Sequence, residues 1–227
     1  MSIFTNQTIN CPACATPMHF DVVISVNVDR RPDYRDAILD GSFQRQPCPS
    51  CATPFRVEPE FTYMDLKRGQ YIGVWPRAKR SDWEACAART RTLFDDTLGS
   101  NAPPEARSVG EGLAVRVVFG WVALVEKILA RGAGIDDRSL EAAKLAVMRT
   151  REESPLPGDW ALRLVQVNDE SILLGWVGGS GQERPASWRV SRDLIKDIEA
   201  RPEAWKLLRD SVVSGDVVDF QRELLVA

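Results

Sequence analysis

The sequence predicts an α+β protein in three consecutive parts. Residues 1–75 carry a repeated cysteine motif between strand-like segments, and a short helix is expected between the two copies of the motif. Residues 76–153 show helical periodicity with capping and terminating residues, and residues 154–227 alternate apolar and polar side chains before further helical segments. With 227 residues, 44% of them apolar, the chain is long enough to bury a real core.

Four of the five cysteines fall into two matching motifs. The sequence CPACATP at 11–17 recurs as CPSCATP at 48–54. Two cysteines three residues apart in a turn can present both sulfurs to one tetrahedral ion, and two such turns complete its coordination. The pattern therefore predicts a zinc ribbon over residues 1–75, with Zn²⁺ bound by Cys11, Cys14, Cys48 and Cys51.

A zinc ion in this site is expected to be structural. Four protein ligands leave no coordination position for water or substrate, so the metal is not expected to act as a catalyst. A redox dithiol of the thioredoxin kind would need one CxxC at the start of a helix, whereas each copy here precedes a strand-like segment. An iron centre, or a redox sensor that releases its zinc, also stays open.

Four other residues near the motif or outside it have simpler interpretations. His19 is the single histidine and is expected to be a strand side chain, while Cys86 is expected to be an inert buried thiol. Ala15 and Ala52 stand where zinc ribbons usually place a glycine with positive φ. An alanine at such a position costs roughly 1 kcal/mol or shifts the turn.

The first part is predicted to be mostly β-structure. Its strands are rich in β-branched and aromatic residues, and its inserted helix is closed by a glycine. The predicted elements are strands at 19–28, 55–64 and 71–75, a helix at 33–39 and an extended segment at 43–47.

The central part is predicted to contain three helices. A capping-box pattern at 81–84 opens the first, which reaches Leu98. The second, at 113–130, is apolar around its whole circumference and is expected to be buried. Asp136 or Asp137 is expected to cap the third, and capping accounts for this acidic pair without a catalytic role.

Prolines and a glycine at 154–158 mark the predicted boundary of the third part. A hairpin is expected at 162–167 and 172–177, followed by a glycine cluster at 178–181 that lacks the Gly-Lys-Ser/Thr ending of a phosphate loop. The remaining predicted elements are a strand at 187–190, a helix from Ser191 to Glu199, a helix from Pro202 and a final segment at 217–225.

The chain resembles the CpXC family, a bacterial group named for its cysteine motif. The resemblance rests on the two CPxC turns and on the sequence Asp40-Gly-Ser-Phe43 that leads into the second turn. It extends to Phe119-Gly-Trp, to Glu126-Lys-Ile-Leu129 and to Asp136-Asp-Arg138, and so spans residues 1–150. It implies zinc-ribbon character and a ligand role for the four cysteines, but no reaction.

Composition favours a cytoplasmic protein whose partner is another protein. The net charge of −3 argues against a protein that coats nucleic acid. Five cations without an acid at 67–80 keep nucleic-acid binding as an alternative. The start of the sequence has no signal-peptide pattern, and the apolar run at 117–125 is too short to cross a membrane.

An enzyme is the less favoured interpretation. A single histidine leaves little for histidine-dependent acid–base chemistry, although catalysis by lysine or carboxylate side chains stays open. The sequence therefore predicts a non-catalytic interaction or adaptor module that carries a structural zinc site. It does not predict the oligomeric state.

Overall fold

The computed structural model describes residues 2–151, 160–178 and 183–221. The described residues form seven α-helices and four β-sheets, which confirms the α+β class. By contacts the chain divides into two units, Met1–Trp121 and Val122–Ala227. The three-part division at residues 75 and 153 stays a prediction.

The first unit is built on a five-stranded sheet with the strand order β1-β2-β5-β6-β7. Strands β2 and β5 pair in parallel, as do β6 and β7, while the other neighbours are antiparallel. In chain order the elements of this unit are β1 (Ile3–Asn10), β2 (Pro17–Asn27), α1 (Pro32–Leu39), β3 (Arg45–Pro47), β4 (Pro54–Arg56), β5 (Phe61–Asp65), β6 (Gln70–Trp75), α2 (Trp83–Thr97), α3 (Pro104–Gly110) and β7 (Ala114–Phe119).

Each cysteine motif forms the turn of a hairpin. The first motif connects β1 to β2, and the second connects β3 to β4. Helix α1 lies in the segment between the two hairpins, where the sequence predicted a helix at 33–39. This arrangement confirms the expected pattern of two turns with a helix between them.

The structure differs from the sequence predictions in three strands of the first unit. Strand β1 was not predicted, because its sequence IFTNQTIN is polar at most positions and is exposed along the sheet edge. The single strand expected at 55–64 is interrupted, because Val57 N donates to Gln44 O (2.8 Å) between β4 and β5. The helix predicted at 113–130 is wrong in its first half, which forms strand β7.

Strand β7 explains that error. A parallel strand covered on both faces reads as a continuous apolar run, which cannot be told from a buried helix by periodicity. The run pairs with β6 and then turns at Gly120, whose φ is 82°. A Cβ at Gly120 would lie 2.5 Å from Arg77 Cγ. The turn therefore requires glycine both for its positive φ and for the close approach of Arg77.

The capping box predicted at 81–84 is also absent. A 3₁₀ helix at Arg77–Asp82 precedes α2, and Asp82 makes no side-chain capping hydrogen bond. The helix itself is present and ends one residue before the predicted Leu98.

The second unit packs helices against a three-stranded antiparallel sheet with the order β10-β9-β8. The predicted hairpin is confirmed, and Ser191 caps α6 by accepting from Asp193 N at 3.1 Å. The helix expected from Pro202 begins only at Lys206. The elements are α4 (Trp121–Gly132), α5 (Asp137–Arg151), β8 (Ala161–Val167), β9 (Ser171–Val177), β10 (Glu183–Ser191), α6 (Arg192–Ala200), α7 (Lys206–Ser211), β11 (Val213–Ser214) and β12 (Val217–Val218).

Three predicted features lie wholly or partly outside the described residues. They are the boundary at 154–158, most of the glycine cluster at 178–181 and the end of the segment at 217–225. Among the helices that the structure describes, none has the length and apolar character needed to span a bilayer.

The second unit contains a buried charge cluster, which we define as Glu126, Lys127, Glu141, Lys144 and Arg163. Lys144 Nζ lies 2.5 Å from Glu126 Oε1 and 2.8 Å from Glu141 Oε1, and Arg163 Nη1 donates to Glu126 Oε2 at 2.9 Å. The carboxylates of Glu126 and Glu141 and the ammonium of Lys144 are fully buried. Burial of so many charges is tolerable only because each one has partners.

A short segment, residues 218–221, closes this cluster, and we call it the strap. Lys127 Nζ donates to the carbonyl of Val218 at 2.8 Å, and the Phe220 amide donates to Glu141 at 3.1 Å. Arg163 pairs with Asp219 at 3.0 Å. The strap is therefore held in part by its backbone and in part by an ion pair.

Candidate metal centre

The sulfurs of Cys11, Cys14, Cys48 and Cys51 all lie within 4.8 Å of one another. The sulfurs of Cys11 and Cys51 are 3.7 Å apart, as are those of Cys14 and Cys48. A tetrahedral ion with metal–sulfur bonds of about 2.3 Å requires sulfur separations of about 3.8 Å. The four cysteines are thus positioned to hold one metal ion, and no fifth side chain is needed.

The two turns have the same backbone hydrogen bonds. Cys11 N donates to Thr16 O at 2.9 Å, and Cys48 N donates to Thr53 O at 3.0 Å. In both turns the amide of the residue after the second cysteine donates to the carbonyl of the first cysteine at 2.9 Å. The repeated sequence therefore folds into a repeated structure that presents two pairs of sulfurs to a common point.

The same two turns place alanine in the left-handed region. The φ angles of Ala15 and Ala52 are 57° and 56°. This is the conformation expected for the residue after each CPxC, and neither turn shifts to avoid it. The turn geometry is retained at a cost of roughly 1 kcal/mol per alanine relative to glycine.

The first cysteine of each pair is buried, and each accepts a backbone hydrogen bond. Cys11 and Cys48 are both 2% exposed, and their sulfurs lie 3.4 Å from the amides of Ala13 and Ser50. The Cys14 amide lowers the pKa of Cys11, but burial and the neighbouring thiols raise it, to about 11 overall. A bound cation would reverse this balance, because a metal-coordinated thiol is deprotonated.

The second cysteine of each pair is exposed and lies beside a threonine. The sulfurs of Cys14 and Cys51 are each 3.3 Å from a hydroxyl, that of Thr16 and that of Thr53 respectively. Hydrogen bonds from the threonine side chain and backbone lower the pKa of Cys14 to about 6, and the same contacts lower the pKa of Cys51. These threonines stabilise the thiolate form that a metal requires.

Sequence reasoning missed the role of the two threonines. The signal was present, because the repeat continues beyond the cysteines as Ala-Thr-Pro in both copies. A repeat that includes the threonine indicates that the hydroxyl belongs to the site, whereas the cysteine spacing alone does not.

An apolar cluster joins the two hairpins beneath the cysteines. Met18 and Phe20 of β2 are buried, and Phe55 of β4 packs against them, with the rings of Phe20 and Phe55 6.4 Å apart. The residue that follows each motif, Met18 or Phe55, belongs to this cluster. The metal centre is thus supported by a small core of its own.

The other candidate residues lie away from the four sulfurs. His19 is exposed on β2, opposite Thr8, and is not part of the group that could hold a metal. Cys86 is 3% exposed within α2, and its thiol lies 3.9 Å from the carbonyl of Lys79. Asp136 directly precedes α5, and its carboxylate accepts from the hydroxyl of Ser139 at 3.2 Å and from Arg209 Nη2 at 3.2 Å; the capping role stays a prediction.

The basic stretch at 67–80 does not form one patch. Lys67 and Arg68 lie in the turn before β6, whereas Arg77, Lys79 and Arg80 follow its other end. Five residue steps along β6 separate these ends by about 17 Å. Arg68 lies 3.8 Å from Asp65 and Lys79 lies 3.9 Å from Asp82, so two of the cations also have acidic neighbours.

The family comparison agrees with this geometry. The family described as CpXC protein matches residues 9–144, which is more than half of the chain and includes both cysteine turns. No curated protein and no solved structure matches the chain. The chain belongs to the CpXC family.

Proposed function

We propose that the four thiolates bind one structural Zn²⁺ ion and that the first unit is a non-catalytic protein-interaction module. The observation that carries the proposal is the set of four converging sulfurs with tetrahedral spacing. A closed shell of this kind contributes to folding, because the binding free energy of the metal becomes stability of the folded state. When bound, the ion would cross-link the two hairpins.

Zinc suits this site better than iron for a physical reason. Four cysteines accept either metal, but Zn²⁺ has no redox chemistry and imposes no geometric preference beyond the four ligands. A purely structural role therefore favours zinc. The use of free thiols as ligands also supports a reducing compartment, for which we propose the cytoplasm.

A protein partner is favoured over nucleic acid by the net charge and by the positions of the cations at 67–80. The net charge is −3, and the cations of 67–80 lie at opposite ends of β6. Phosphate binding depends on clustered cations, so this separation weakens the nucleic-acid alternative. The carboxylates of the buried charge cluster are fully enclosed, which offers no support for catalysis at that place.

Metal content of the purified chain tests the first half of the proposal. We expect one zinc per chain, and replacement by Co²⁺ should give the absorption bands of tetrahedral thiolate coordination. Cys14→Ser combined with Cys51→Ser should abolish stoichiometric binding. Cys86→Ser is the matched control and should retain the metal. An iron spectrum, or full zinc retention by the double variant, would contradict the proposal.

Co-purification from the native host tests the second half. The zinc-loaded chain is expected to retain a protein partner that the Cys11→Ser chain does not retain, because we expect the first unit to unfold without its metal. Zinc content is measured in the same preparations. A zinc-loaded, folded chain that purifies without any partner would contradict the interaction role and leave the zinc site standing.

A further inference from the structure

The first unit has a cavity of about 380 Å³ between helix α2 and one face of the sheet. Strands β2, β5 and β6 contribute one wall, and α2 contributes the other. This volume lies at the small end of the range for ligand pockets. The residues that line the cavity include Ile24, Glu60, Trp75, Arg89, Leu93 and Asp96.

The floor of the cavity is fixed by a close approach of helix to sheet. Trp75 Nε1 donates to Thr90 Oγ1 at 3.0 Å, which holds the indole in one orientation. A Cβ on Gly73 would lie 2.3 Å from the same hydroxyl oxygen, so glycine is required for this contact. The floor of the site is therefore ordered before anything binds, which lowers the entropic cost of binding.

Two large aliphatic side chains on the walls are exposed to solvent. Ile24 and Leu93 are each 46% exposed, although most residues of their type are buried. Ile24 lies at a bulge in the β1–β2 pairing, since Phe4 is opposite Val23 but Ile3 is opposite Ser25. A bulge redirects a side chain, and here it leaves an isoleucine at the cavity. Exposed apolar side chains at a concave site mark a binding surface.

The rim carries two carboxylates and one guanidinium. Arg89 pairs with Glu60 at 2.8 Å and lies 5.4 Å above the centre of the Trp75 ring. Asp96 is seven residues after Arg89 on α2, and Leu93 is four after it, so the three share one helix face. Asp96 accepts from the Asn101 side-chain amide at 2.8 Å, a neutral partner. The rim therefore has a net negative charge.

We propose that this cavity binds a segment of a partner protein that presents an apolar side chain next to a lysine or arginine. The apolar side chain would fill the space between Ile24, Leu93 and Trp75, and the cation would pair with Asp96. Charge complementarity selects this occupant, because the rim has one more carboxylate than cation. The inference deepens the interaction role proposed above and rests on it.

A titration of the zinc-loaded full chain with defined peptides tests the proposal. The probe is acetyl-Gly-Leu-Arg-Gly-amide, and the controls carry Glu in place of Arg or Ser in place of Leu. We expect the probe to shift the NMR signals of the Trp75 indole and of the Thr62 and Gly73 amides. Each control should bind at least about tenfold more weakly. Absence of shifts at millimolar probe, or equal shifts with the Glu peptide, would overturn the proposal.

Surface variants provide the second readout. Leu93→Lys should abolish the shifts, whereas Asp96→Lys should reverse the preference toward the Glu peptide. Val109→Lys replaces a similarly exposed apolar residue of α3 and serves as the matched control. Unchanged probe binding by Leu93→Lys would overturn the site. So would equal binding of n-butylguanidinium and the peptide, since a small cation would then be the ligand.

The same variants distinguish this inference from the interaction role itself. Zinc content is measured in each, and none of the changed residues belongs to the cysteine turns. If a co-purifying partner binds the wild type and Leu93→Lys equally well, the interaction role holds and the cavity is not its site. If no partner is found but the peptide preference reverses as expected, the interaction role fails its own test while the peptide selectivity of the cavity is supported.

Discussion

Two clusters of charged or chargeable side chains lie in this chain, and they balance their charges in different ways. The first unit brings together four cysteine sulfurs that are positioned to hold a metal ion. The second unit brings Glu126 and Glu141 together with Lys144 and Arg163, so its cations come from the chain. With the proposed zinc, the first cluster would take its cation from solution, whereas the second depends on the protonation of its own groups.

The two clusters are also expected to contribute different amounts to the free energy of folding. A structural zinc contributes on the order of 10–16 kcal/mol to the folding of zinc-finger peptides, which is comparable to the whole net stability of a domain. A buried ion pair gains little over well-packed apolar residues, but removal of one partner costs about 3–5 kcal/mol. The metal centre should therefore decide whether its unit folds, and the charge cluster should adjust how stable its unit is.

The largest expected effect follows from loss of the metal. Chelation, or Cys11→Ser together with Cys48→Ser, should unfold the hairpins that carry the cysteines, because the clustered thiols are left without a cation. NMR spectra should lose the dispersed signals of β2 and β4 while those of β8 and β9 persist. Cys86→Ala is the control and should preserve both sets. Retention of the β2 signals after complete metal removal would show that the apolar cluster alone suffices.

The next effect is expected from Lys144→Met in the charge cluster. The change leaves Glu126 and Glu141 buried with fewer partners and should destabilise the second unit by about 3–5 kcal/mol. Urea unfolding followed by signals of the second unit measures it. Lys206→Met removes an exposed pair with Asp210 and should have a much smaller effect, because solvent screens the attraction between these two charges. Equal effects of the two variants would contradict the role assigned to the cluster.

A smaller effect should appear in the dependence of stability on pH. Burial alone raises the pKa of Glu126, but the charges of Lys144 and Arg163 outweigh it and lower the pKa below its usual value. Its stabilisation is therefore present above the unfolded pKa and is lost as pH falls through the lower folded value. Glu126→Gln should flatten the acid-side decline in stability of the second unit, measured by urea unfolding across a pH series.

Glu141 should show the opposite sign. Burial raises its pKa despite the attraction of Lys144, so its favourable contribution is present at low pH and is lost as pH rises through the raised value. Glu141→Gln should therefore remove the loss of stability that occurs as pH rises from the unfolded pKa of Glu141 to its raised folded pKa. Leu207→Ala changes an exposed side chain that carries no titratable group, so it is the control for both variants and should leave both slopes unchanged. Identical slopes in all variants would contradict the assigned directions.

The smallest effect concerns the positive φ angles at the cysteine turns. Ala15→Gly and Ala52→Gly should each stabilise the zinc-loaded first unit by up to about 1 kcal/mol, because glycine adopts this conformation without strain. Thermal unfolding at fixed zinc concentration measures the change. Ala13→Gly lies in the same turn without a positive φ and should not stabilise. Destabilisation by the first two changes would show that the alanine methyls contribute packing.

Local patterns in the sequence predicted local structure well. The cysteine spacing identified the four clustered thiols, and alternation identified the β8–β9 hairpin, because both depend on short-range patterns. Strand β7 was predicted to be helical, since its partner β6 is distant in the sequence and burial on both faces removes the alternation. Strand β1 was missed because an exposed edge imposes no apolar pattern.

The charge cluster and the cavity could not be predicted for a related reason. Charged residues on helices normally indicate a solvated face, and only the folded chain shows that Arg163 of β8 lies against Glu126 of α4. The cavity combines side chains of three strands and one helix. Its defining feature is the exposure of Ile24 and Leu93. The local sequence pattern does not show whether these two apolar side chains are exposed or buried.

The strap gives the second unit an order of assembly during translation. Arg163 leaves the ribosome 56 residues before Asp219, and Glu141 leaves it 79 residues before Phe220. Until the strap is synthesised, the charges of the cluster lack several partners and remain hydrated. A chain truncated before residue 218 lacks the strap partners of Lys127, Glu141 and Arg163. The charge cluster can therefore obtain its full set of partners only after residues 218–220 have been synthesised.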